Sequence, residues 1–230
     1  MDVIDWVNAL QDAGERLAGT ARTAGFDAEV PTCPGWRVRD LVRHTGDVHR
    51  WATMYVTTGH SEPVAVDEEW FDREAVPSED SALLSWFTDG VGVLASALRE
   101  APAELTCWTF LAAPSAREHW ARRQAHETTV HRIDAESAAG TATPVDPALA
   151  ADGIDELLAC FGVRSRRLRW ETAHTLRVRA DDTGDEWTVR LGPDRPVVTR
   201  TPPDGTVPVD HPTATTTELR GPAETLYRAL

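Results

Sequence analysis

Apolar residues recur at helical spacing in four long stretches of the first 140 positions, with few of the alternating Val, Ile and Thr positions that a sheet requires. Val3, Val7, Leu10 and Leu17 predict a helix over about residues 3–21, closed by Gly25. A second helix follows the turn-forming run Pro31-Thr32-Cys33-Pro34-Gly35 and carries Leu41, His44, Val48, Trp51 and Tyr55 on one face before Gly59. Both are amphipathic. After a polar, acidic connection over residues 61–80, Leu83, Leu84, Phe87, Val91, Leu94 and Leu98 predict a third helix ending near Arg99, with Gly90 and Gly92 counting against it. Ser115 and Glu118 have capping-box spacing just after Pro114, so a fourth helix is expected from Ala116 to about Ala138, ahead of Gly140. Four such helices fit a four-helix bundle.

Gly140 to Pro147 holds Thr, Pro and Gly with little apolar content and reads as a linker, dividing a domain over residues 1–140 from one over 141–230. Ala148 to Phe161 keeps a helical period, and then the period changes. Thr175 to Arg179 and Trp187 to Leu191 alternate around the turn signal Asp181-Asp182-Thr183-Gly184, which predicts a hairpin. Further strands are expected at Val197 to Arg200 and Thr213 to Leu219, and Pro222 opens a short closing helix through Leu230. The expected fold class is therefore α+β in two domains.

Composition narrows the partners. The 230 residues carry a formal net charge of −14, and all 23 basic residues are arginine. A sequence pI near 4.9 disfavours nucleic acid and anionic membranes, both of which bind basic surfaces. The opening residues, with Asp2, Asp5 and Asp12, lack the basic and apolar regions of a signal peptide, and no hydrophobic run reaches the roughly 20 unbroken apolar residues of a membrane span. A cytoplasmic protein is expected. Cys33, Cys107 and Cys160 are too few and too widely spaced for a disulfide framework and read as reduced thiols, the last two as small buried residues.

The sharpest chemical feature is Ala125-His126-Glu127-Thr128-Thr129-Val130-His131 on the fourth helix. Glu127 and His131, four residues apart, share a face, whereas His126 is turned from Glu127 by about 100°. Such a pair is either an exposed Glu–His contact worth a few tenths of a kcal/mol or two ligands of one ion. His44 lies on the apolar stripe of the second helix, where an imidazole needs a buried partner or a ligand. Were His44, Glu127 and His131 to face the bundle interior together, they would form a two-histidine, one-carboxylate site suited to Zn²⁺, with Fe²⁺, Ni²⁺ or Mn²⁺ as other occupants. His49, turned from His44 by about 140°, is expected at the surface. Trp36 and Trp51 read as core anchors, with Trp51 a candidate pocket wall. Cys33 is either a packing residue or a thiol activated by the helix start beside it.

Pro31-Thr32-Cys33-Pro34-Gly35-Trp36-Arg37-Val38-Arg39-Asp40-Leu41-Val42-Arg43-His44 resembles the first signature of the mycothiol-dependent maleylpyruvate isomerase family, and residues 125–136 are similar to its second. The resemblance implies a DinB-like helical bundle with a divalent metal and a smaller C-terminal α+β domain. It places the metal ligands on His44, Glu127 and His131. It implies mycothiol, a low-molecular-weight thiol, as cofactor, and an electrophilic or maleyl-type acid as substrate, undergoing cis–trans isomerisation or S-transfer. The rival function is a non-catalytic metal-binding accessory or small-molecule-binding protein of the same fold; a structural metal site would be closed by a fourth protein ligand such as His126 or Cys107. Arg37, Arg39, Arg43 and Arg50 on the second helix and Arg122, Arg123 and Arg132 on the fourth flank the ligands. They form either a local basic mouth or ordinary ion pairs. Arg43 and Arg123 are the expected contacts to the thiol cofactor.

Overall fold

Helix α1 (Val3–Ala24) begins where the Asp2 carboxylate accepts the backbone N–H groups of Ile4 and Asp5 at 2.8 and 3.0 Å, while Asp5 accepts the N–H of Asp2. Helices α2 (Val38–Thr58) and α4 (Ala116–Ala139) both stop at a glycine in the left-handed region, Gly59 with φ 67° and Gly140 with φ 63°. Helix α3 (Asp80–Glu100) runs unbroken through both of its glycines. In this computed structural model residues 1–64, 76–165, 168–201 and 215–230 are described. Residues 65–75 of the predicted acidic connection and residues 213 and 214 of the last predicted strand therefore lie outside the described residues.

The chain divides into two units, residues 2–143 and 144–230. In the first, α1 packs on α4 and α3, and α2 packs on α3 and α4. Helices α1 and α2 thus lie diagonally across a four-helix bundle, and α2 shares a wall with α4. Leu17, Leu41, Val42, Leu83 and Phe87 are almost wholly buried in its core. By length and composition alone α3 is apolar enough to cross a membrane. Here Leu83, Leu84, Phe87, Val91, Leu94 and Leu98 are buried along one side of it, so its apolarity serves bundle packing.

Two glycines let α2 and α3 approach. The Arg50 guanidinium lies 3.7 Å from the centroid of the Trp86 ring and donates to Trp86 O at 2.9 Å and Gly46 O at 3.1 Å. A Cβ on Gly46 would fall 2.2 Å from the Trp86 ring, and one on Gly90 would fall 2.6 Å from an Arg50 nitrogen. Gly90, which argued against a helix, lies inside α3 where the Arg50 guanidinium passes close to its backbone.

Helix α4 buries polar side chains, among them His119, Gln124, His126, Thr128, Arg132, Asp134 and Glu136. Their burial costs free energy wherever a polar atom lacks a hydrogen bond, as His119 Nε2 and Gln124 Oε1 do among the described residues. His49, expected at the surface, is fully buried because the inward face of α2 runs through Val42, Thr45, His49, Ala52 and Val56. Its Nε2 lies 2.8 Å from the Thr128 hydroxyl, whose own proton goes to Gln124 O at 2.7 Å, so the imidazole is the donor. Its ring stacks on Phe87. Cys107 and Cys160 are half-buried, more open than expected.

In the second unit Asp146 caps helix α5 (Pro147–Asp155), which continues as a π-helical turn over Glu156–Phe161. Strands β1 (His174–Ala180) and β2 (Glu186–Leu191) form the predicted hairpin, with Val178 opposite Trp187 and Gly184 at φ 76° in its turn. Strand β3 (Val197–Thr201) pairs antiparallel to β2, and β4 (Thr215–Gly221) pairs parallel to β1, giving the order β3-β2-β1-β4 before helix α6 (Ala223–Ala229). The chain is α+β, as expected.

Replacing Gly46 by Ala should destabilise the bundle by about 1–3 kcal/mol in urea unfolding, since overpacking outweighs the better helix propensity. Gly19→Ala, with open space at its Cβ, should instead stabilise by up to about 1 kcal/mol. Burial lowers the pKa of His49 to about 3 and of His119 to about 4. Both stay neutral in the fold while the unfolded chain takes up protons below about pH 6.5. Stability should therefore fall from pH 6.5 to 5 by about 1.4 kcal/mol per pH unit for each histidine, and His119→Gln should flatten that slope in pH-dependent urea titrations.

Candidate metal centre

The loop ahead of α2 is shaped by its own sequence. In Cys33-Pro34-Gly35-Trp36 the Trp36 N–H donates to Cys33 O at 2.9 Å, proline presets the second position and Gly35 adopts φ 86°, a conformation costly for any side chain. Val30 N–H donates to Trp36 O at 2.9 Å and closes the loop. Trp36 is held with its ring edge-on to His44, centroids 5.1 Å apart, and stacked on His131 at 6.3 Å. It is thus a half-buried wall of a side-chain cluster that also packs against the hydrophobic core of the bundle.

His44 comes from α2, and Glu127 and His131 from adjacent turns of α4. Glu127 Oε1 lies 3.3 Å from His44 Nε2 and 3.2 Å from His131 Nε2. One donor atom from each of the three lies within 4.8 Å of the other two, and among the described residues no other such group occurs. His44 stands at the rim of the bundle, its side chain 32% exposed, whereas that of His131 is 15% exposed. The buried face of α2 is displaced from the predicted stripe and carries Thr45 and His49.

The atoms facing away from the cluster are tied to protein. Arg123 donates to Glu127 Oε2 at 3.0 Å, and His131 Nδ1 lies 2.8 Å from Asp134 Oδ2. The Thr32 hydroxyl donates to Asp134 Oδ1 at 2.7 Å. Burial would raise the Glu127 carboxyl, but hydrogen bonds from His131 and His44 and the charge of Arg123 hold it well below its usual range. Burial likewise opposes a charge on His131, yet Asp134 and Glu127 together raise it to about 9. Asp134 is pulled up by burial and brought down further by His131 and Thr32.

A sequence profile of the mycothiol maleylpyruvate isomerase N-terminal domain matches residues 7–136. The chain belongs to this family. In structure it is similar to crystal structures of the mycothiol-dependent maleylpyruvate isomerase and of a histidine-to-alanine mutant of that enzyme. In each case the identity is 13%, the TM-score is 0.61, and the match covers 99% of this chain and 88% of the other, a likeness of fold. No protein of curated function matches the sequence.

The family signatures hold the cluster's wall as well as its centre. Asp134, three residues after His131, and Thr32, twelve before His44, lie within them, and the i, i+3 spacing was the signal that would have found Asp134. The flanking arginines are largely engaged elsewhere. Arg37 and Arg39 pair with Asp27, Arg39 also with Asp80, Arg50 lies over Trp86, and Arg132 pairs with buried Glu136. Arg123 is committed to Glu127, and Arg43 is exposed on α2. Trp51 belongs to an aromatic cluster with Tyr55, Trp108, Phe110 and Trp120.

Burial and the neighbouring Asp134 carboxylate raise the Cys33 thiol above its ordinary pKa. This favours packing over reactivity. Cys33 should therefore be alkylated by iodoacetamide at pH 7.5 more slowly than an unperturbed cysteine, as followed by peptide mass spectrometry; labelling at the free-cysteine rate would contradict this environment.

Proposed function

We propose that the protein is a divalent-metal-dependent enzyme of the cytoplasm that uses mycothiol to isomerise a maleyl-type acid from cis to trans or to transfer the thiol to an electrophile. The observation that carries this reading is the convergence of His44, Glu127 and His131. Two ligands at zinc-bonding distance in a tetrahedral site stand about 3.3 Å apart, and the two Glu127-to-imidazole separations of 3.3 and 3.2 Å match that edge. Two imidazoles and a carboxylate suit Zn²⁺.

Among the described residues the cluster offers three side chains able to ligate, and neither His126 nor Cys107 belongs to it. That number, with His44 partly exposed, supports a catalytic site with an open position over a closed structural one. A divalent ion held there would keep a thiol as thiolate at neutral pH, the form that adds to a carbon–carbon double bond or an electrophile.

The chain's own residues supply the rest. Arg123 neutralises the outer oxygen of Glu127 and keeps its inner oxygen facing both imidazoles. Trp36 covers one side of the cluster, in contact with both imidazole rings. A depression of about 490 Å³, lined by Glu29, Pro31, Pro34, Trp36 and Arg37 of the same loop, offers space for a bulky thiol. Arg43, one position from His44 and exposed, is placed to meet an anionic group of cofactor or substrate.

Protein purified without a histidine tag should contain about one divalent ion per chain, and His44→Ala and His131→Ala should each lose it. Unchanged metal content in both variants would refute the three-ligand site. The metal-loaded protein with mycothiol should isomerise maleylpyruvate, or consume thiol in a panel of electrophiles. Silence across that panel would leave the non-catalytic accessory role.

A further inference from the structure

We infer that Asp134 and Thr32 form a positioning relay that sets the orientation of His131 toward a bound divalent ion and joins the loop before α2 to helix α4. The inference rests on the metal-dependent reading above and concerns residues outside the three ligands. An imidazole ring can miss its target in two ways, by rotating within its plane or by tilting out of it. The Asp134 Oδ2 contact at 2.8 Å to Nδ1 opposes the first, and the Trp36 ring, stacked at an interplanar angle of 25°, opposes the second. With its proton on Nδ1 donated to Asp134, the imidazole presents the lone pair of Nε2 to the side where Glu127 Oε1 and His44 lie.

Asp134 needs an anchor of its own, because a carboxylate held at one oxygen turns freely about its last side-chain bond. Thr32 provides that anchor on Oδ1 at 2.7 Å. Thr32 and Trp36 belong to the same turn-stabilised loop, so one short segment fixes the ring on both counts. That loop leads directly into α2, which carries His44. The spacing between ligands from different helices is thereby set by a side-chain chain running Thr32, Asp134, His131, beside the helix packing itself.

The test compares wild type with Asp134→Ala, Asp134→Asn and Thr32→Val. Zn²⁺ affinity is measured by chelator competition, the visible absorption of the Co²⁺-loaded chain reports ligand geometry, and melting of the metal-free chain controls for folding. Asp134→Ala should weaken Zn²⁺ binding about 10–100-fold and alter the Co²⁺ spectrum. Asp134→Asn should recover part of the affinity, since its amide oxygen still accepts from Nδ1. Thr32→Val, at an exposed position, should weaken binding several-fold in the same direction, and it decides the matter if Asp134→Ala does not fold. Wild type binding one ion, with affinity and Co²⁺ spectrum unchanged in Asp134→Ala and Thr32→Val, overturns the inference alone. A lowered melting temperature without a spectral change does the same, because it marks a merely structural role. A wild-type chain that takes no ion overturns the metal-dependent reading and the relay with it.

Discussion

Glu127 is a carboxylate largely withdrawn from water, and the bundle tolerates it only because two imidazoles and a guanidinium surround its oxygens. Its neighbours supply enough donors and positive charge to keep it ionised despite the desolvation that would otherwise protonate it. The same arrangement that satisfies the anion presents two imidazole nitrogens and one oxygen to a common point. The hydrogen-bonding distances that satisfy Glu127, 3.3 and 3.2 Å, are the observation on which the proposed metal site rests.

Holding those groups in place falls to packing elsewhere. α2 and α3 are locked where Gly46 admits the Trp86 ring and Gly90 admits Arg50, leaving α2 little freedom to slide. On the other wall His49 of α2 donates to Thr128 of α4, one residue from Glu127. The shared wall of α2 and α4 is therefore tied by a polar contact inside the bundle and by the cluster at its rim. The loop of Pro31 to Trp36 adds a third tie through Thr32 and Asp134.

Charge is handled locally throughout. A chain with a net charge of −14 still places Arg123 and two imidazoles against the Glu127 carboxylate, while most of the other arginines near α2 and α4 pair with Asp27, Asp80 or Glu136 or lie over an aromatic ring. Net charge describes what a protein meets at long range. Screening over about 10 Å leaves the site to its own neighbours.

Helices α1 to α4, their glycine and serine caps and the β1–β2 hairpin were legible in the chain because each depends on interactions three or four residues apart or on the alternation of a single strand. The two family signatures likewise carried the residues of the cluster, since Glu127 and His131 need only one helical turn to meet. Tertiary structure alone decided which stripe of α2 faces inward, and so buried His49 and left His44 at the rim. It decided that Trp36 walls the cluster, that β4 lies parallel to β1, and which arginines are engaged. Those outcomes are contacts between residues tens of positions apart, where chain spacing is silent and the balance of packing against the desolvation of polar groups chooses the partner.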